Sequence, residues 1–144
     1  MILPDEQETT RLGGLLAQVA QAGDVITLEG PLGVGKTALA RGFIHGLGHE
    51  GEVPSPSFAL IQPYEDIVPP VWHVDLYRID DSREVDELGL DAAAEGILIV
   101  EWPDRAGGAM WPDALRLSLD FGQGDERILT ANVPPSWEGR WPLR

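Results

Sequence analysis

Eight consecutive residues carry the most specific chemistry in the chain: Gly30-Pro31-Leu32-Gly33-Val34-Gly35-Lys36-Thr37 fits G-x-x-x-x-G-K-[ST] in full. Glycines at this spacing let the backbone curl, so that successive N–H groups converge on phosphate oxygens. A helix starting at Lys36 would aim the positive end of its dipole at the same anion. Lys36 adds a point charge able to reach between β- and γ-phosphates, and the Thr37 hydroxyl is placed to ligate Mg²⁺. The pattern therefore predicts a nucleoside triphosphate bound with Mg²⁺.

Such a loop needs a carboxylate from a neighbouring strand end, to orient Mg²⁺ or the attacking water. Two acids end short apolar runs: Asp75 after Val71-Trp72-His73-Val74, and Glu101 after Ile97-Leu98-Ile99-Val100. In a parallel sheet such positions gather at the ligand crevice. Spacing assigns both to the site without deciding which holds metal and which directs water. Ser55 and Ser57, between prolines, are placed either as a γ-phosphate-sensing switch loop or as a plain turn.

The elements that must position these groups follow from local pattern. Asp5 and Glu8 have capping-box spacing. Leu12, Leu15, Leu16 and Val19 then recur at helical intervals, with Gly23 expected to end the helix. Residues 25–29 read as a short buried strand and 30–35 as a loop. A helix follows from Lys36 to about Leu47, with Leu39, Phe43 and Leu47 inward. Prolines keep 53–58 out of helix. Strands are expected at 59–64, 71–75 and 97–101, with one or two short helices over 84–95. A final pair of strands is expected at 115–121 and 127–133. The tail from about 134 to 144 has no period and reads as irregular. This order predicts an α/β fold, a P-loop NTPase-like mixed sheet flanked by helices with antiparallel strands at the edge.

The whole chain, 144 residues, suits one domain over 1–144, since domains run about 100–150 residues. It carries 24 Asp+Glu against 10 Lys+Arg, for a net charge of −14. That field repels phosphate backbones and argues against direct high-affinity nucleic-acid binding. Cysteine is absent, which removes disulfides, thiolate nucleophiles and zinc-thiolate sites together. The N-terminus lacks a signal-peptide pattern and no apolar run suits a membrane span, so a cytoplasmic location is expected. The basic residues are nine arginines and one lysine, and that lysine is Lys36. A slender ammonium is thus kept where a triphosphate needs one.

Taken together, Leu3-Pro4-Asp5-Glu6-Gln7, Gly30–Thr37, Ser55-Pro56-Ser57-Phe58, His73-Val74-Asp75-Leu76-Tyr77-Arg78, Glu87-Leu88-Gly89-Leu90 and Val100-Glu101-Trp102-Pro103 resemble the TsaE (formerly YjeE) family of bacterial P-loop ATPases. The combination is far more specific than the P-loop alone. The resemblance implies an ATPase assisting threonylcarbamoyl transfer to adenosine 37 of tRNAs, with TsaB and TsaD as partners that carry the transfer chemistry. It implies ATP phosphates at Gly33 to Ala38, Thr37 on Mg²⁺, and Asp75 and Glu101 as essential acids, Glu101 being similar to the family's metal ligand. It raises Ser55 and Ser57 to a switch loop and brings Glu6, Trp102 and Asp104 near the nucleotide. Ser57 stands where Thr is usual, and Asp104 where Glu or Gln is common, which shortens its reach.

Two other functions fit a P-loop. A small-molecule or nucleoside kinase would need a lid to clamp the transferred phosphate, and no arginine-rich insertion provides one. A GTP switch would need [NT]-K-x-D for guanine, hence a second lysine. Lys36 itself is expected in an exposed loop position.

Overall fold

Short runs rich in β-branched and aliphatic residues, broken by glycine and proline, form seven strands of one sheet. The computed structural model describes residues 1–107 and 110–142. The strands are β1 (Ile2–Leu3), β2 (Val25–Glu29), β3 (Ile61–Tyr64), β4 (Val71–Asp75), β5 (Ile97–Glu101), β6 (Leu115–Phe121) and β7 (Arg127–Asn132). Their order across the sheet is β1-β7-β6-β2-β5-β4-β3. The central four, β6, β2, β5 and β4, run parallel. Antiparallel strands close both edges, β7 with β1 on one side and β3 on the other. The expected mixed α/β sheet is therefore present. Its terminal hairpin does more than decorate an edge, because β6 pairs directly with β2.

Two α-helices cover one face. In α1 (Glu6–Val19) the Asp5 side chain caps the start by accepting from the Glu8 N–H at 3.0 Å. The second, α2 (Lys36–Gly46), crosses it at glycines. A Cβ on Gly13 would collide with the Leu39 carbonyl, and one on Gly42 with the Thr10 carbonyl. Leu12, Leu16, Phe43 and Ile44 of the helices pack on Ile26, Leu28, Ile99 and Leu117 of the sheet. The opposite face is covered by three short 3-10 segments, Ser82–Leu88, Leu90–Glu95 and Pro103–Ala106. Val85 and Ala106 meet Val74, Leu76, Leu98 and Val100 there.

Three local expectations change. Helix α1 stops at Val19, with Ala20 already extended, four residues before Gly23. Gly23 serves the turn into β2 instead, with its N–H bonded to the Gly96 carbonyl at 2.7 Å. The strand expected from residue 59 begins at Ile61, because Leu60 has left-handed backbone (φ 69°). The C-terminal segment, expected to be irregular and described as far as residue 142, contains a short 3-10 turn at Pro135–Trp137 and is anchored. Trp137 is fully buried in the helix-side core. Arg140 pairs with Asp24 at 2.8 Å and donates to the Val19 carbonyl at 2.9 Å, which satisfies the end of α1.

Candidate nucleotide-binding site

Strand register decides which side chains converge. Asp75 and Glu101 are direct partners across the parallel β4–β5 ladder, so both leave the sheet on one face. His73, two residues before Asp75, shares that face, and it is the face covered by α1 and α2. Next to β5, β2 ends at Glu29 and feeds the loop whose far end starts α2. Gly30 takes φ 143° with a Cβ direction that would strike the Leu119 carbonyl. Gly35 takes φ 118° as the residue before α2 and gives that helix no side-chain cap. The first N–H groups of α2 are left for an anion.

A cavity of about 680 Å³ opens over this helix end. It is lined by Gly33 to Ala38, by Asp75 and Glu101, by Ser55 and Ser57, and by Glu6. These sequence-expected residues are brought together; Asp104 lies outside the lining, on the exposed turn after β5. Trp102 lines the cavity too, with left-handed backbone (φ 59°) and its ring 4.9 Å from that of Tyr77.

Lys36 is buried, not exposed as its loop position suggested. Its ammonium donates to the Gly30 and Pro31 carbonyls and sits 3.8 Å from the centre of the Trp102 ring. Burial pulls its pKa below the usual lysine value, and the charges of Glu101, Asp75 and Asp104 oppose that pull. Asp104 thus acts on the site through its charge. Asp75 is shifted upward, first by burial and also by the Glu101 charge, while the Tyr77 N–H at 2.9 Å and Ser57 resist. Ser57 donates to Asp75 at 3.4 Å and shares a 2.7 Å hydrogen bond with Ser55. The serine loop and the acid are therefore joined.

Glu101 is almost fully buried and accepts from the Thr37 hydroxyl at 3.1 and 3.4 Å. One hydroxyl and one carboxylate side by side, with Asp75 the next strand neighbour, form a set of hard oxygens suited to Mg²⁺. Among the described residues no three acidic or histidine side chains cluster as a complete metal cage.

Three contributors escape a sequence reading. The Arg127 Nε–H donates to the Val34 carbonyl at 2.9 Å, so β7 braces the phosphate loop from 93 positions away. Arg41 lines the cavity and donates to the Val53 carbonyl at 3.3 Å, ahead of the serine loop. His73 bonds Glu101 at 2.7 Å. Only His73 left a signal, the two-residue spacing to Asp75; the arginines depend on how distant segments fold back.

The profile of the family described as "Threonylcarbamoyl adenosine biosynthesis protein TsaE" matches residues 3–129. This chain belongs to the TsaE family. It is 40% identical over 126 residues to the tRNA threonylcarbamoyladenosine biosynthesis protein TsaE of Bacillus subtilis, covering 86% of this chain and 78% of that one. It is 39% identical over 135 residues to the Streptomyces coelicolor protein of the same name, covering 90% and 91%. The crystal structure of Bacillus subtilis YdiB superposes with a TM-score of 0.82 at 32% identity, over 98% of this chain and 88% of that one. The part matched to TsaE includes every candidate site residue, while the anchoring Trp137 and Arg140 lie beyond it. No helix among the described residues is long and apolar enough to cross a membrane.

Proposed function

We propose that this protein binds and hydrolyses ATP with Mg²⁺, as a nucleotide-driven switch on a TsaB–TsaD pair that modifies adenosine 37 of tRNA. The observation that carries the reading is the convergence of Lys36, Thr37, Asp75 and Glu101 on one cavity at an uncapped helix start. Family membership supplies the pathway, and the −14 charge favours docking on a basic partner surface over direct tRNA contact.

The assignment of roles follows from position. N–H groups of Gly33 to Ala38 hold the phosphates, and Lys36 exchanges its loop carbonyls for phosphate oxygens. Glu6, at the first turn of α1, borders the nucleotide, and Asp104 stands outside the cavity lining. Thr37 and Glu101 would hold Mg²⁺, which when bound supplies positive charge to offset that of the triphosphate. Asp75 orients the attacking water and takes its proton. The water oxygen bonds to the γ-phosphorus as the bond to the β–γ bridging oxygen breaks, releasing ADP and phosphate. A raised carboxyl pKa suits a proton acceptor. Ser57 relays the state of Asp75 and the γ-phosphate to the serine loop, the segment we assign as the switch.

Phosphate release measured with and without TsaB–TsaD tests the reading. Slow turnover alone and stimulation by the pair is the expected result. Full turnover without partners contradicts the switch. A labelled product from a small-molecule or nucleoside acceptor would replace it with the kinase alternative.

A further inference from the structure

Glu101 meets two groups from different elements: the Thr37 hydroxyl on α2 and the His73 ring on β4. His73 Nε2 lies 2.7 Å from Glu101 Oε2, the shorter of the two contacts, and the ring is fully buried. An ionised carboxylate can only accept, so Nε2 carries the hydrogen. The other nitrogen, Nδ1, has no partner among the described residues. Among the described residues the ring's one side-chain hydrogen bond is therefore the one to Glu101. The bond is diagonal across the ladder: His73 is in register with Ile99, and Glu101 with Asp75. It therefore sets the direction of the Glu101 side chain independently of its strand neighbour.

We propose that His73 is a positioning residue: its Nε2–H fixes one Glu101 oxygen, so that the carboxylate faces Thr37 in the orientation Mg²⁺ requires. This rests on the Mg²⁺–ATP reading above. Partners that orient a metal-binding carboxylate are worth about 10–100-fold in metal affinity or activity.

The variants that separate this role from simple packing are His73→Leu, which removes the donor, and His73→Gln, whose amide N–H₂ restores one near Nε2. With saturating ATP, His73→Leu should raise the Mg²⁺ concentration giving half-maximal turnover by about 10-fold or more, and His73→Gln should recover most of it. ATP affinity in EDTA, measured by calorimetry, should be the same in all three proteins. The unaltered protein provides a second readout. Its three histidines are resolvable by ¹⁵N–¹H correlation. The His73 ring should show the Nε2–H tautomer, with its shift moving on addition of Mg²⁺ and ADP. A Mg²⁺ midpoint unchanged in folded His73→Leu, no recovery in His73→Gln, or an Nδ1–H tautomer in the unaltered protein would each overturn the role. Absence of turnover in the unaltered protein would instead strike the hydrolysis reading, leaving the tautomer measurement to judge His73.

Discussion

On the α1–α2 face of β4 and β5 the side chains are Val71, His73, Asp75, Ile97, Ile99 and Glu101. On the opposite face they are Trp72, Val74, Leu98 and Val100. The same strands thus present acids at the carboxyl ends of one face and only apolar groups on the other. The coverings differ to match. Two α-helices in close glycine contact hold the first face, and one of them delivers Lys36 and Thr37 to the acids. Short 3-10 segments seal the second with a smaller core. Buried charge requires fixed partners, and a helix start supplies them where a 3-10 turn does not. Substitutions on the first face should disturb chemistry as well as stability; those on the second, stability alone.

The largest break expected is at Asp75. Asp75→Asn removes the proton acceptor, and turnover with partners present should fall roughly 10²–10⁴-fold in a phosphate-release assay while nucleotide still binds. The unaltered protein should lose activity as pH falls through a carboxyl pKa held above the ordinary 3.8 by burial. That limb should vanish in Asp75→Asn. Folding has the opposite sign. With its pKa raised in the fold, Asp75 favours the native state below the ordinary carboxyl value, and that contribution is lost as pH rises through the raised one.

Trp137→Ala comes next. The side chain is fully buried against the helix-side core, and its loss should cost about 3–5 kcal/mol in urea unfolding. An unmoved midpoint would detach the C-terminal segment from that core.

The two faces are compared most directly by Gly42→Ala and Val85→Ala. Gly42→Ala drives a methyl into the Thr10 carbonyl, an overpacking cost of about 1–3 kcal/mol, and displaces α2. Val85→Ala costs a similar amount, about 1–3 kcal/mol, by removing buried methyls under the 3-10 segments. Calorimetry should find nucleotide affinity weakened only in Gly42→Ala. Equal affinities in both would remove the distinction.

The smallest effect lies away from either core. His49 bonds Asp66 at 2.8 Å, which holds the histidine above its usual pKa and the aspartate below its own. The pair's stabilisation should fade as pH rises through the raised histidine value, and as it falls through the lowered aspartate value. Thermal melts of Asp66→Asn should lack both slopes.

Local signals made β2, α2, β5 and the phosphate loop legible in the sequence. Each is a short run whose pattern is self-contained, such as the apolar stretch from Ile97 closed by Pro103. The acids were legible as chain neighbours of those runs. What escaped depends on pairing between distant segments. The two-residue β1 exists only through β7, and Arg127 braces Val34 only because the hairpin folds back across the loop. Lys36 is buried with its ammonium against Trp102, whose left-handed backbone no local pattern announces. Gly23 offered a plausible stop for α1, yet Arg140 and an extended Ala20 end it at Val19.

The central claim is that this cavity holds a triphosphate through Lys36. Calorimetric titration of Mg²⁺–ATP into the unaltered protein and into Lys36→Ala tests it most directly, with circular dichroism to confirm that the variant folds. Saturable binding that weakens roughly 10- to 150-fold in Lys36→Ala is predicted, as loss of a charged hydrogen-bond donor implies. Equal affinity in the two proteins, or no binding in the unaltered one, would contradict the account.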